Sequence, residues 1–312
     1  MQGRRERRSL GKAHRVYGKA GSAFQREHDA VLAGKLAHLE VDGARDRLRR
    51  NIHRLEKGLL MRPRRATFAL KYIDETVAAY EHLGDGPERV WATDVLSAYF
   101  DAVEGADAAR ARFEACRREG QGEEVPQPRG SAKPPVDFAH FEALMRRRRS
   151  IRWFTDAPVD RDLIDAAVAA AAQAPSACNR QPFRFHFFDQ RDDIDRVAAI
   201  PMGTRGFAHQ IPVLGVLVGR LDAFFDERDR HLIYIDGSLA AMAFMLGLEA
   251  QGLASCPLNW PDIDAKERAM ANELGLAPYE RPIMLFAIGH PDPEGLVAAS
   301  AKRPVEDLRT WR

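Results

Sequence analysis

Arg146, Arg147, Arg148 and Arg149 are followed by Ser150 and Arg152, which gathers guanidinium forks and a hydroxyl into one short segment. Arginine donors match phosphate oxygens in pairs, so the segment is a candidate anion site. As a bare charge run it equally suits a solvated helix face. Phe154 and Pro158 stand beyond it as anchors. Further on, Ala174-Pro-Ser-Ala-Cys-Asn-Arg-Gln-Pro182 is a loop of small and amide residues. It reads as a plain turn or as a ligand loop, because Asn179 and Gln181 carry paired donors and acceptors able to read the edge of a planar heterocycle. Cys178 in this loop and Cys256 later suggest thiol chemistry, but buried cysteine more commonly packs as a small hydrophobe. The histidines show neither H-x-x-x-H nor H-E-x-x-H spacing, so no metal site is expected. No G-x-G-x-x-G follows a strand, which gives no support to a Rossmann-type domain.

These segments need a scaffold, and composition bounds it. With 312 residues the chain suits one large domain or two ordinary ones. Lys plus Arg number 47 against 45 Asp plus Glu, and a net charge of +2 provides no global field for nucleic acid or a membrane surface. Three cysteines without a C-x-x-C pair favour a reducing compartment over a disulfide framework. The apolar run Leu239 to Leu248 ends at Glu249, short of the roughly 20 residues of a membrane span. Met1 to Arg15 is arginine-rich without an apolar core, so no export signal is expected and the cytoplasm is the expected compartment.

Residues 1 to about 25 lack periodicity and read as a basic arm, and the block 1–43 as that arm with a first helix, partly disordered. From about Ala44, Leu48, Ile52, Leu55 and Leu59 form one helical stripe, ended by Pro63. A second helix is expected over about Ala66 to Leu83, with Phe68, Tyr72, Ile73, Val77 and Tyr80 inward and Gly84 as its stop. A third spans about Pro87 to Arg118, divided at Gly105. Residues 44–118 thus read as a helical extension. Residues 119–136, rich in proline and poor in large apolar side chains, read as an exposed linker.

The remainder, 137–312, alternates helices with strands. Asp160 suits the N-cap of a helix whose inner face is Leu163, Ile164, Ala167, Val168 and Ala171. Phe183, Phe185 and Phe187 alternate with Arg184 and His186 as a half-buried strand does. Val213 to Val218 and Ile283 to Ile288 are continuously apolar, as central strands are. A nearly all-apolar helix is expected from Ser238 to Gln251, capped by Asp236 or Ser238, closed by Gly252, and buried in a core or a subunit interface.

Arg148-Arg-Ser-Ile-Arg152-Trp-Phe with Ala174 to Phe183 resembles the paired signature of the nitroreductase family of FMN-dependent oxidoreductases. Gln251-Gly-Leu-Ala-Ser-Cys-Pro-Leu258 is similar to that family's loop after its long buried helix. Ile288-Gly-His-Pro291 and Lys302-Arg-Pro304 resemble its last strand and basic tail. The resemblance covers roughly residues 140 to 312. It implies an α+β fold, a mixed sheet flanked by helices, here preceded by an all-helical region. It further implies a homodimer in which NAD(P)H visits transiently, reduces bound FMN, and leaves before an electron-poor acceptor of nitro or quinone type enters.

By the same resemblance Arg148 and Ser150 hold the FMN phosphate with Lys302 or Arg303, and Arg149 lies along the ribityl chain. Arg152 faces the pyrimidine edge, where a cation stabilises reduced flavin. Asn179 bonds the ribityl chain or O2 and Gln181 supports its loop. Pro175, Ser176, Pro257 and Leu258 line the cofactor, and backbone amides near Asn259 and Trp260 approach N5. No catalytic side chain is assigned. Many relatives carry an acidic residue and a glycine where this chain has Asn259 and Trp260, so an indole is expected to narrow the space over the ring. That departure and the helical extension keep open a specialised flavin reaction, such as reductive dehalogenation, oxidative flavin destruction or a biosynthetic desaturation. A different alternative is a non-catalytic flavin-fold interaction protein that docks a partner through residues 44–118.

Overall fold

A computed structural model describes residues 20–40 and 44–312 of the chain. The basic arm, as far as it concerns residues 1–19, lies outside the described residues. Its inner end differs from expectation: helix α1 (Ala20–Leu39) already starts at Ala20. Tertiary contacts rather than a strong apolar stripe hold it. Ala30 is buried against Leu221, Ala223, Phe224 and Ile233. Arg26 pairs with Asp262 and Asp264, each at 2.6 Å. Gly34 allows the close crossing, since a Cβ there would meet Leu221 at 2.9 Å.

Four further helices form a separate core: α2 (Ala44–Leu59), α3 (Ile73–Glu81), α4 (Pro87–Ala102) and α5 (Asp107–Cys116). Leu48, Ile52 and Leu55 are buried there with Tyr80, Tyr99, Phe100 and Phe113. Gly105 divides α4 from α5 with φ +77°, a conformation glycine adopts without steric cost. The second expected helix is shortened. Residues 66–72 form turns, with Ala69 at φ 63° and the Phe68 carbonyl accepting from the Tyr99 hydroxyl at 2.8 Å. The partial burial of Phe68 and Tyr72 thus comes from long-range contacts and not from helical phase. At the other end His82, not Gly84, caps α3. The chain from 117 to 136 is mostly exposed coil, pinned near its start where the Asp94 carboxylate accepts from the amides of Glu123 and Glu124 at 3.1 Å each.

The rest of the chain builds α6 (Phe138–Arg147), α7 (Arg161–Ala171), β1 (Phe183–Phe188), α8 (Arg191–Ala198), β2 (Val213–Arg220), α9 (Leu232–Ala250), β3 (Ala254–Asn259), α10 (Asp264–Leu274), β4 (Glu280–Gly289) and α11 (Val305–Leu308). The four strands lie in the order β1-β2-β4-β3 and all pair antiparallel. Among the described residues the sheet's parallel pairing is a single bridge, Ser150 with Ser255. The apolar runs of β2 and β4 occupy the centre, as two-sided burial requires. Ile164, Ala167, Phe244 and Leu248 of α7 and α9 cover one face. Ile194, Val197 and Met270 of α8 and α10 cover the other. Asp160 caps α7 by accepting from the Asp162 amide at 3.0 Å.

Two expectations change here. Helix α9 begins at Leu232, so neither Asp236 nor Ser238 is its cap; Asp236 lies inside the helix and is buried. The helix is therefore longer than its apolar run, and by length and composition it could cross a membrane, yet it packs on α7 and the sheet as a core helix does. The segment after it is not a loop from Ala254 onward but the edge strand β3, a position that tolerates Pro257 because one side of the strand needs no full ladder.

Candidate functional site

The arginine run straddles the end of α6. Arg146 turns back to Glu142 at 2.7 Å and Arg147 reaches Glu249 at 2.7 Å. Arg148 leaves helical geometry at ψ 117°. From there the backbone is fastened to the sheet: the Ile151 amide donates to the Ser255 carbonyl at 3.2 Å and the Thr155 amide to the His290 carbonyl at 2.9 Å. Phe154 is buried against Gly289, where a Cβ would meet its ring at 2.8 Å.

A cleft of about 560 Å³ opens beside this segment, within the range of small-molecule sites. Arg148, Arg149, Ser150 and Arg152 line one wall, and Ala298, Ser300 and Lys302 of the C-terminal tail line the other. The Arg149 guanidinium pins the tail, donating to the Ala298 carbonyl at 2.6 Å and to the Ala299 carbonyl. Nε and Nη1 of Arg148 are buried and have no hydrogen-bond partner among the described residues. Buried donors of a charged group left unpaired are costly, which makes Arg148 the cleft's candidate for holding an anion. Arg303 is exposed and does not line the cleft.

The loop bearing Pro175, Ser176, Asn179 and Gln181 is elsewhere. It precedes β1, whereas the arginine segment is bridged to β3, and these are opposite edges of the sheet. Three interstrand spacings of about 4.8 Å from β1 to β3, and one more to the bridged segment, put some 19 Å between them. Within one chain, therefore, the two halves of the expected site do not meet. The loop is nonetheless tightly built. Cys178, Asn179 and Gln181 have φ of 54°, 52° and 51°, left-handed backbone that costs roughly 1–3 kcal/mol per non-glycine residue unless surroundings enforce it. The enforcing contacts are present. The Asp236 carboxylate accepts from the Ala177 amide at 2.9 Å, and the Ser176 hydroxyl from the Gln181 amide at 3.1 Å. Gln181 Nε2 donates to the Ala172 carbonyl at 2.8 Å, and Arg49 of α2 donates to the Asn179 carbonyl at 2.7 Å.

In the sequence Asp236 reads as a helix cap, whereas its partner in the structure is a loop about sixty residues away. Replacing it with alanine strands the Ala177 amide and should cost about 1–3 kcal/mol. Thermal melts of Asp236→Ala against the parent check this; an unchanged melting temperature would show that the bond does not hold the loop.

Pro257, Leu258 and Asn259 lie on β3, with Leu258 buried and Asn259 exposed at the strand end. Cys256 between these segments is buried, which pushes its thiol up, while Arg152 and Arg148 nearby act in the opposite sense. Trp260 corrects an expectation. Its indole is buried, donating from Nε1 to Glu267 at 2.5 Å, and Glu267 in turn pairs with Arg281 at 3.2 Å. An indole satisfied in the core does not narrow a substrate space. Among the described residues no group of three His, Cys, Asp or Glu side chains is arranged to hold a metal ion.

The family model described as "Nitroreductase family" matches residues 145–204 and 198–290. The NADH dehydrogenase of Thermus thermophilus is 32% identical over 211 residues, covering 57% of this chain and 98% of the relative. Among solved structures, the Bacillus subtilis protein ydfN, described as a nitroreductase, superposes with a TM-score of 0.50 at 19% identity, covering 56% of this chain and all of the other. A Desulfovibrio desulfuricans nitroreductase in complex with FMN gives 0.48 at 23% identity, covering 58% of this chain and 98% of the other. The sheet and its two helical layers form an α+β fold, and the family match with its relatives makes the chain an oxidoreductase. The chain belongs to the nitroreductase family, with a helical region added before the family's fold.

Proposed function

We propose that the protein is an FMN-dependent NAD(P)H oxidoreductase acting as a homodimer on small electron-poor molecules of nitro or quinone type, in the cytoplasm. One observation carries the reading: the buried, unpartnered Nε and Nη1 of Arg148 in a cleft shared with Ser150 and Lys302. A phosphate monoester fits that donor set, since fork donors, a hydroxyl and an ammonium all favour its oxygens. FMN, when bound, supplies the two-electron chemistry, taking hydride from NAD(P)H and passing reducing equivalents to the acceptor.

The chain's residues then have distinct tasks. Arg148, Ser150 and Lys302 hold the phosphate, with Arg303 standing back. Arg149 lies beside the ribityl chain while holding the tail. Arg152 sets positive charge against the pyrimidine edge, and the amides at Asn259 and Trp260 bound the N5 side. Pro175, Ser176, Asn179 and Gln181 come from a second copy, which the opposite-edge placement requires if all serve one flavin. A second copy is also favoured by uncovered apolar groups: Ile235 and Leu239 on α9 are 53% and 43% exposed, and Leu296 and Trp311 in the tail 92% and 82%. Residues 137–312 form the FMN-binding unit in this reading, 119–136 the linker, and 44–118 an extension that buttresses the amide loop. The buried Trp260 removes one ground for a specialised reaction and leaves the helical extension as the other.

Purified protein should be yellow, and its flavin absorbance should bleach with NADH or NADPH under argon and return on adding a nitroaromatic or a quinone. Colourless protein that remains inert with added FMN would overturn the proposal.

A further inference from the structure

A second cleft, of about 470 Å³, lies between α2, α7 and the edge strand β1. Its floor is apolar, made by Phe183, Phe185 and Phe187, the last two stacked at 6.0 Å. Its rim is cationic. Arg45 and Arg49 are committed to Glu88 at 2.6 and 2.7 Å, and Arg220 to Asp222 at 2.6 Å. Asp46 faces the cleft but is itself held by Arg220 at 3.2 Å, and Asp165 adds one further acid.

Arg180 is different. It is 8% exposed, its Nε is buried without a partner, and among the described residues its guanidinium makes no hydrogen bond or ion pair. It rests over the Phe224 ring at 4.7 Å. Burial works against its charge. A desolvated guanidinium in a cavity with an aromatic floor matches one ligand chemistry, an anionic group on an apolar body. Arg184, exposed at the same rim and likewise without a partner among the described residues, adds attraction.

We infer that this cleft binds a small organic carboxylate, its acid group on Arg180 and its aromatic or branched body on the Phe183–Phe187 ladder. The helical extension thereby completes a ligand site, with Arg45 and Arg49 as its outer wall. The site shares Gln181 with the amide loop, but none of its reasoning uses that residue or the Arg148 cleft.

Calorimetric titration of the full-length protein, as purified, with benzoate tests it, with neutral benzamide and inorganic phosphate as controls. Benzoate should bind once per chain and benzamide should not. Arg180→Gln should weaken benzoate at least tenfold while leaving the flavin band unchanged. Absence of benzoate binding, equal binding of benzamide, binding of phosphate without benzoate, or an unaltered affinity in Arg180→Gln would each overturn the inference. Benzoate that perturbs the flavin spectrum equally in parent and variant would place it over the ring and overturn it too. Should Arg180→Gln fail to fold by circular dichroism, Arg184→Glu decides, with several-fold weakening expected and undiminished affinity counting against the site. Colourless protein would defeat the flavin reading alone, since the titration still reports on this cleft.

Discussion

Arg148→Ala should lower FMN affinity about ten- to a hundredfold, the equivalent of roughly 1.5–3 kcal/mol for a charge-assisted bond to phosphate. Arg148 is singled out because its Nε and Nη1 are buried and unpartnered in the cleft, whereas Arg146 and Arg147 are engaged with Glu142 and Glu249. Replacing Arg152 as well removes a second cation of the same wall, and the double variant should lose flavin on gel filtration. Fluorescence of released FMN reports the affinity directly. A double variant that retains full flavin occupancy would refute the phosphate assignment. A fall in melting temperature without flavin loss would mean the guanidiniums serve the fold instead.

Arg220→Ala should destabilise the protein by about 3–5 kcal/mol, because removing one member of a buried ion cluster leaves uncompensated charge. Arg220 sits at the end of β2 and bonds both oxygens of Asp222, at 3.2 and 2.6 Å, and Asp46 of α2 at 3.2 Å. Both carboxylates are buried. Burial already pushes the Asp46 carboxyl up, with Arg220 opposing that rise. Without the guanidinium the folded-state value rises further above its unfolded value. The penalty is then present above the folded value and relieved as pH falls through it, so the deficit should shrink as pH is lowered toward about 4. Urea melts at pH 7 and pH 4.5 measure both effects. An Arg220→Ala deficit independent of pH would show that lost packing, not stranded charge, is its source.

Much of the scaffold was legible because its signals are local. The stripe Leu48, Ile52, Leu55 announces α2, continuous apolar runs announce β2 and β4, and Asp160 announces its helix by side-chain capping. The Arg148 to Arg152 segment was legible for the same reason, since its residues are neighbours in sequence. What failed depended on distant partners. Residues 66–72 half-bury their aromatics in turns, and α9 extends back to Leu232 past an acid whose partner is in another loop. The docking of α2 on the amide loop through Arg49 carries no local signal, and neither does the turn of Trp260 inward toward Glu267. Lys302 and Arg303 are equivalent by type, and only the path of the tail distinguishes them.

The placement of the arginine segment at one border of the sheet and the amide loop at the other has a genetic corollary under the two-copy reading. A polypeptide crippled at Arg148 and another crippled at Asn179 would each be dead alone. Mixed in one particle, they would leave one pocket doubly broken and the other wholly wild type, so complementation between alleles is built into the layout of the strands.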